Sequence, residues 1–238
     1  MATIVLVHGL MHGAWCWEKV VPLLEAKGHN VVAFDLPARG DDKTAHDAAT
    51  LELFVGAAAM VVRAQREPVV LVGHSAAGTI LSELAERMPE RVARLIYVAA
   101  MLLPDGESIF SAFVSKSDID RALAIEGASA VKTDDVLIRR RFYNTSPDEV
   151  AASAIAKLCA EPIAPLHDPV HVTPERYGRV KRAFIQTRFD NAVPWDAQAA
   201  MCAALPCDPV IVMDTDHSPF FSAPLEFAAH IHALAQAA

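Results

Sequence analysis

Six short apolar runs, rich in valine, isoleucine and leucine, recur along the chain at residues 3–7, 30–34, 69–72, 95–99, 183–187 and 210–213. They are apolar at nearly every position rather than at alternate ones, the pattern of strands covered on both faces. Helical patterns at 15–26, 48–65, 77–88, 195–205 and 225–235 separate them. Strand–helix alternation of this kind predicts an α/β protein with a mainly parallel sheet and right-handed crossovers. With 53% hydrophobic residues and a mean hydropathy of +0.26, the 238-residue chain has ample material for a core.

One segment breaks the rhythm. From about 104 to 179 there are short helices, scattered aromatics and several prolines, but no strong buried strand. That length is too great for a plain loop and predicts a helical cap inserted after the fourth strand, over the carboxyl ends of the strands. The expected division is a core of residues 1–103 and 180–238, with the cap at 104–179. Within the cap, Ser146-Pro147-Asp148-Glu149 reads as a helix start capped by Ser146.

Composition narrows the functions. A net charge of −8 argues against a nucleic-acid or anionic-membrane surface, where a basic patch is expected. The longest apolar run, residues 53–62, is 10 residues and too short to span a bilayer. Met1-Ala2-Thr3 leads straight into an Ile-Val-Leu-Val run, which does not read as a secretory signal. Cys16, Cys159, Cys202 and Cys207 show no CxxC pairing and read as buried, reduced thiols of a cytoplasmic protein.

The chemistry is concentrated at Pro68-Val-Val-Leu-Val-Gly-His-Ser-Ala-Ala-Gly78. A buried strand runs into Gly73, a serine sits at the bend, and a helix begins at once. This is the strand–turn–helix context of the G-x-S-x-G nucleophile elbow, with Ala77 in place of the last glycine. The bend demands small residues around Ser75, and the helix amino terminus offers free amides to an anion. The Gly73–Gly78 spacing also fits a phosphate loop, but Thr79 stands where that loop needs its lysine.

A serine hydroxyl needs a base, and the base an orienting acid, which on such elbows follow in the chain order Ser, Asp or Glu, His. His217 lies in the loop after the last strand. Asp190 lies in the loop after the strand before it, and Asp105, after the fourth strand, is its rival. Asp214 and Asp216 read as solvated loop charges. The oxyanion donors are expected to be the amides of Ala76 and of Leu10, in the loop after the first strand. His8 and His12 have H-x-x-x-H spacing, but on a strand and loop rather than one helix face, so no metal is expected. His230 and His232 read as exposed, and His167 and His171 receive no role. The substrate pocket is expected to draw on Met11, His12, Leu102, Phe110, Phe113, Phe142 and Tyr143, with Leu10.

These residues resemble the methylesterase and hydroxynitrile lyase group of the α/β-hydrolase superfamily, with its bacterial esterase relatives. The likeness is strongest in Val5-Leu-Val-His-Gly-Leu-Met-His-Gly-Ala-Trp-Cys-Trp17, Gly73-His-Ser-Ala-Ala-Gly78, Asp190-Asn-Ala-Val-Pro194 and Asp216-His-Ser-Pro219. It implies an α/β-hydrolase fold with a small cap, a Ser75–Asp190–His217 triad, Leu10 and Ala76 as oxyanion amides, and a cofactor-free site. The lyases of the group typically carry a threonine after the first-strand histidine and a lysine after the catalytic histidine. Here Gly9 and Ser218 stand there, so a departing cyanide has no lysine to stabilise it. The expectation is a serine carboxylester hydrolase acting on small, mostly apolar esters. It would work alone or as a homodimer, with no nucleic acid, membrane or cofactor. A hydroxynitrile lyase and a non-catalytic small-ligand receptor are the alternatives.

Overall fold

A computed structural model describes residues 1–114 and 122–238, with the side chains of Phe113 and Val114 outside the description. The strands are β1 (Thr3–Val7), β2 (Asn30–Ala33), β3 (Val69–His74), β4 (Val92–Val98), β5 (Leu123–Glu126), β6 (Ser129–Lys132), β7 (Glu161–Pro162), β8 (Arg182–Thr187) and β9 (Val210–Met213). Six of them form one sheet in the order β2-β1-β3-β4-β8-β9, and every pairing in it is parallel. The registers Val7↔Gly73, His74↔Val98, Val98↔Ile185 and Thr187↔Met213 bring the carboxyl ends of five strands to one edge. The loops that leave that edge carry His8–Gly13, Ser75, Asp190 and His217.

Helices cover both faces. Successive strand residues face opposite layers, because side chains alternate along a strand. Val5, Leu71, Leu95 and Phe184 pack with α2 (Leu51–Arg63) and α3 (Ala77–Arg87), while Ile4, Val70, Ile96 and Ala183 pack with α1 (Val21–Glu25) and the carboxyl-terminal helix Pro224–Gln236. The edge strands are less covered than the sequence suggests: Val210 and Val212 of β9 are about two-fifths exposed, having a neighbour on one side only. The Thr50 hydroxyl caps α2 by accepting from the Leu53 amide at 3.1 Å. The helix expected over 15–26 is broken into a 3₁₀ turn, Ala14–Trp17, and α1. Pro22 explains the break, since a proline that far into a helix has no amide to donate and crowds the carbonyl four residues back.

The segment between β4 and β8 holds α4 (Asp135–Phe142), α5 (Asp148–Lys157) and α6 (Ala164–His167). It also holds a three-stranded antiparallel sheet, β5-β6-β7, that an all-helical expectation lacks. These strands are only two to four residues long, β5 and β6 are mostly half-buried or exposed, and the buried β7 is a Glu-Pro pair, so none carries the apolar signature that marks the main sheet. No helix among the described residues is long and apolar enough to cross a membrane.

Candidate active site

Strand β3 is buried at all six positions and turns at Ser75, whose φ of 54° lies in the left-handed region. For a residue with a Cβ this is a strained conformation, costing about 1–3 kcal/mol, and it persists only where the surroundings enforce it. Here they do. The Ser75 amide donates to the Val98 carbonyl at 3.1 Å, and the Ser75 carbonyl accepts from the amides of Gly78 and Met101 at 3.1 and 2.9 Å. A Cβ on Gly78 would lie 2.1 Å from the Met101 carbonyl oxygen, so only glycine lets α3 (from Ala77) approach the chain leaving β4. A Cβ on Gly9 would lie 2.8 Å from the Ser75 Cβ, so the first-strand loop touches the elbow.

His217 is buried, and its Nδ1–H donates to Asp190 Oδ2 at 2.8 Å. A carboxylate can only accept, so Nδ1 holds the proton and Nε2 is left as the basic nitrogen of the neutral ring. Asp190 is itself locked. Its Oδ2 also accepts from the Thr187 hydroxyl at 2.9 Å and Gln198 Nε2 at 3.1 Å, and its Oδ1 from the Ala192 and Val193 amides at 2.7 and 2.8 Å. Asp105, the rival, is two-thirds exposed and accepts instead from the Val172 amide. Gln198 escapes notice in the sequence, where its one signal is a polar residue beyond the first turn of an otherwise apolar stretch of α7 (Trp195–Ala204).

Asp216 is not the solvated loop charge that the sequence suggests. Asp214 is exposed and pairs with Arg188 at 3.0 Å, but Asp216 is fully buried. Its carboxylate accepts from the Ser146 hydroxyl at 2.8 Å, the Thr145 amide at 2.9 Å and the Ser218 amide at 3.0 Å. Ser146 is thereby drawn away from helix capping: α5 begins after Pro147 with no side-chain cap.

Three more histidines surround the site as neutral packing elements. His74 Nε2–H donates to the His217 carbonyl at 2.8 Å, and the two rings lie 4.5 Å apart. Burial holds its pKa well below the ordinary value. His8 donates from Nδ1 to the Gly9 carbonyl and accepts at Nε2 from Leu36. His12 donates to the Leu10 carbonyl and accepts from the Tyr143 hydroxyl. Burial lowers their pKa values to about 3 and about 4. All four ring nitrogens of His8 and His12 are engaged in the fold.

A cavity of about 840 Å³ opens over Ser75, with Leu10 and Ala76 in the same wall. Leu102, Phe110 and Phe142 line it as expected, and Phe142 also stacks on His217 with ring centres 5.5 Å apart. Met11, His12 and Tyr143 do not line it. All three are buried in the layer behind the wall, where His12 and Tyr143 bond to each other and the Met11 amide bonds to Glu161. The Phe113 side chain lies outside the described residues. Polar residues without an assigned role also border the cavity, among them Arg141 and His167, the latter stacked on Phe110 at 4.1 Å. His230 and His232 are half-buried rather than exposed; His232 bonds to His29 at 2.8 Å and His230 lies 3.6 Å from Glu226. The four cysteines are free, but only Cys16 is buried and the other three are half-buried.

Comparison with known proteins places the chain in a family. The alpha/beta hydrolase family matches residues 4–230. Methylesterase 2 of Arabidopsis thaliana is 33% identical, over 97% of this chain and 95% of its own. Putative methylesterase 11, chloroplastic, of the same plant is 32% identical over 92% of this chain, which spans only 60% of that relative's length. Among solved structures, polyneuridine aldehyde esterase superposes with a TM-score of 0.89 at 26% identity, covering 98% of this chain and 99% of that one. A pyrethroid hydrolase from Sphingobium faniae JZ-2 gives 0.88 at 27%, covering 99% and 98%. The chain belongs to the alpha/beta hydrolase family, in its methylesterase-like branch.

Proposed function

We propose that this protein is a serine carboxylester hydrolase working through an acyl-enzyme on Ser75. The observation that carries the reading is the Asp190–His217 contact at 2.8 Å, which leaves Nε2 as the free base in the loop beside the strained Ser75 elbow. His217 takes the Ser75 proton as the Oγ attacks the ester carbonyl, and Asp190 stabilises the imidazolium that forms. The oxyanion is held by the Leu10 and Ala76 amides, each worth about 3 kcal/mol to the barrier. His217 then protonates the leaving alcohol, and a water activated by the same ring releases the acid.

The substrates are small, mostly apolar esters. Support comes from the cavity walls of Leu102, Phe110, Phe142 and Met201, and from the esterase relatives. In this reading residues 104–179 act as a cap on a core of 1–103 and 180–238, the reaction needs no cofactor, and the protein works in the cytoplasm. The test is nitrophenol release from short-chain nitrophenyl esters by wild type and Ser75→Ala. Turnover in wild type and its loss in the variant are expected. Equal turnover in both would overturn the reading, and mandelonitrile cleavage without ester turnover would replace it with lyase chemistry.

A further inference from the structure

The loop that brings Leu10 to the cavity is held from behind by two buried charges. Arg39, in the turn after β2, and Glu161, in β7, form an ion pair with both side chains almost wholly inaccessible. Glu161 Oε2 also accepts from the Met11 amide. Arg39 reaches the same loop, its Nε donating to the His12 carbonyl at 3.2 Å, while its Nη1 donates to the Ala38 carbonyl at 3.0 Å. The Met11 carbonyl accepts from the Cys159 amide at 3.1 Å. Met11 is therefore gripped on both its peptide groups by residues 159–161, at a φ of 61° that a side-chain-bearing residue adopts only under constraint.

Leu10 is covalently next to this grip. β7 pairs with β6, where Ala130 stands opposite Glu161 and itself lines the cavity. A continuous backbone and side-chain path thus runs from the wall around the acyl or alcohol group to the peptide beside Ser75. Net stability is a poor reason for such a pair, since a buried ion pair is often matched or bettered by apolar residues of similar size. Precise placement of a backbone donor is a better one, because an oxyanion amide works only within a few tenths of an ångström of its target.

We propose that Arg39 and Glu161 are a positioning pair that fixes the Leu10 amide for the oxyanion and couples it to the cavity wall built by β6 and β7. The inference rests on the ester-hydrolase reading above. Neither residue touches the reacting atoms.

Two variants test it. Arg39→Met/Glu161→Met removes both charges and leaves neither stranded. Arg39→Lys keeps the ion pair but loses the fork that holds the His12 and Ala38 carbonyls. In both, kcat on a nitrophenyl ester is expected to fall, by about 10²-fold in the double variant, as for a misplaced catalytic group. KM should stay close to wild type. Affinity for a trifluoromethyl ketone, whose adduct carries the oxyanion, should fall in parallel with kcat, while the folded far-ultraviolet spectrum is kept. A role in folding alone would lower the melting temperature and leave the inhibitor affinity unmoved. If either variant, folded, keeps wild-type kcat and inhibitor affinity, the proposal is overturned. Absence of Ser75-dependent turnover in wild type would instead overturn the ester reading, and this inference with it.

Discussion

The Ser146 hydroxyl and the Asp216 carboxylate meet at 2.8 Å, joining the segment between β4 and β8 to the residue that precedes His217. The bond is buried and charge-assisted, and the same carboxylate also gathers the Thr145 and Ser218 amides. Asp216→Ala would strand these donors, so a loss of about 3 kcal/mol is expected in urea unfolding. Ser146→Ala should cost about 1 kcal/mol. Both should lower kcat more than they change KM, because the His217 loop loses its anchor. An Asp216→Ala protein with unaltered stability would contradict the assignment.

Gly78→Ala should be among the most damaging single-methyl changes in the chain. The added Cβ meets backbone 2.1 Å away, which cannot rotate aside as a side chain can. Overpacking costs about 1–3 kcal/mol in general, and the upper end is expected here. Ala77→Gly, one residue earlier, should be mild by comparison. Thermal unfolding of the two variants side by side decides the point.

Asp190→Asn should keep the fold and lose the chemistry. The amide replaces an acceptor that faces His217 Nδ1, and the favoured ring tautomer changes. A fall of about 10⁴-fold in kcat is expected from the wrong tautomer. Gln198→Ala should give a smaller loss of the same kind, since Gln198 Nε2 orients Asp190 without touching His217. Steady-state kinetics on one ester suffices for both.

Acid should unfold the protein early. Burial depresses the pKa values of His8, His12 and His74 below the unfolded value of 6.5, to about 3 and about 4 for the first two. The neutral rings stabilise the fold fully above pH 6.5. Below it the unfolded chain binds protons that the native chain refuses, so stability falls with decreasing pH until the folded pKa values are reached. Each histidine contributes a slope of about 1.4 kcal/mol per pH unit in that window. Urea midpoints at about pH 7.5 and about pH 5.5 should therefore differ clearly, and equal midpoints would refute the burial argument.

Much of this was legible in the residues. The four inner strands are buried on both faces and announce themselves by unbroken apolar runs. The edge strands β2 and β9 are half exposed but keep short apolar runs, so all six main-sheet strands are legible, and the loops after them can be ordered along the chain. Ser75, Asp190 and His217 are visible because each follows a strand end. The half-exposed β5 and the buried two-residue Glu-Pro strand β7 carry no such run and leave no trace in the sequence. Asp216 reads as solvated in the sequence because a carboxylate in a loop shows no partners until the fold brings Ser146 and Thr145, some seventy residues away, against it. Met11 adjoins a strand end, His12 lies in the same loop and Tyr143 is a cap aromatic, which points all three at the pocket, yet sequence position does not reveal which way a side chain turns. The same blindness hides Arg39 and Glu161, whose pairing spans 122 positions.

The most direct measurement is rapid acid quench of the wild-type protein during turnover of a nitrophenyl ester, followed by peptide mass spectrometry. An acyl group on the hydroxyl of Ser75, formed with a nitrophenol burst equal to the enzyme concentration and absent from His217→Ala, is the predicted result. Full turnover with that peptide unmodified, or with the acyl group on another residue, would contradict the account.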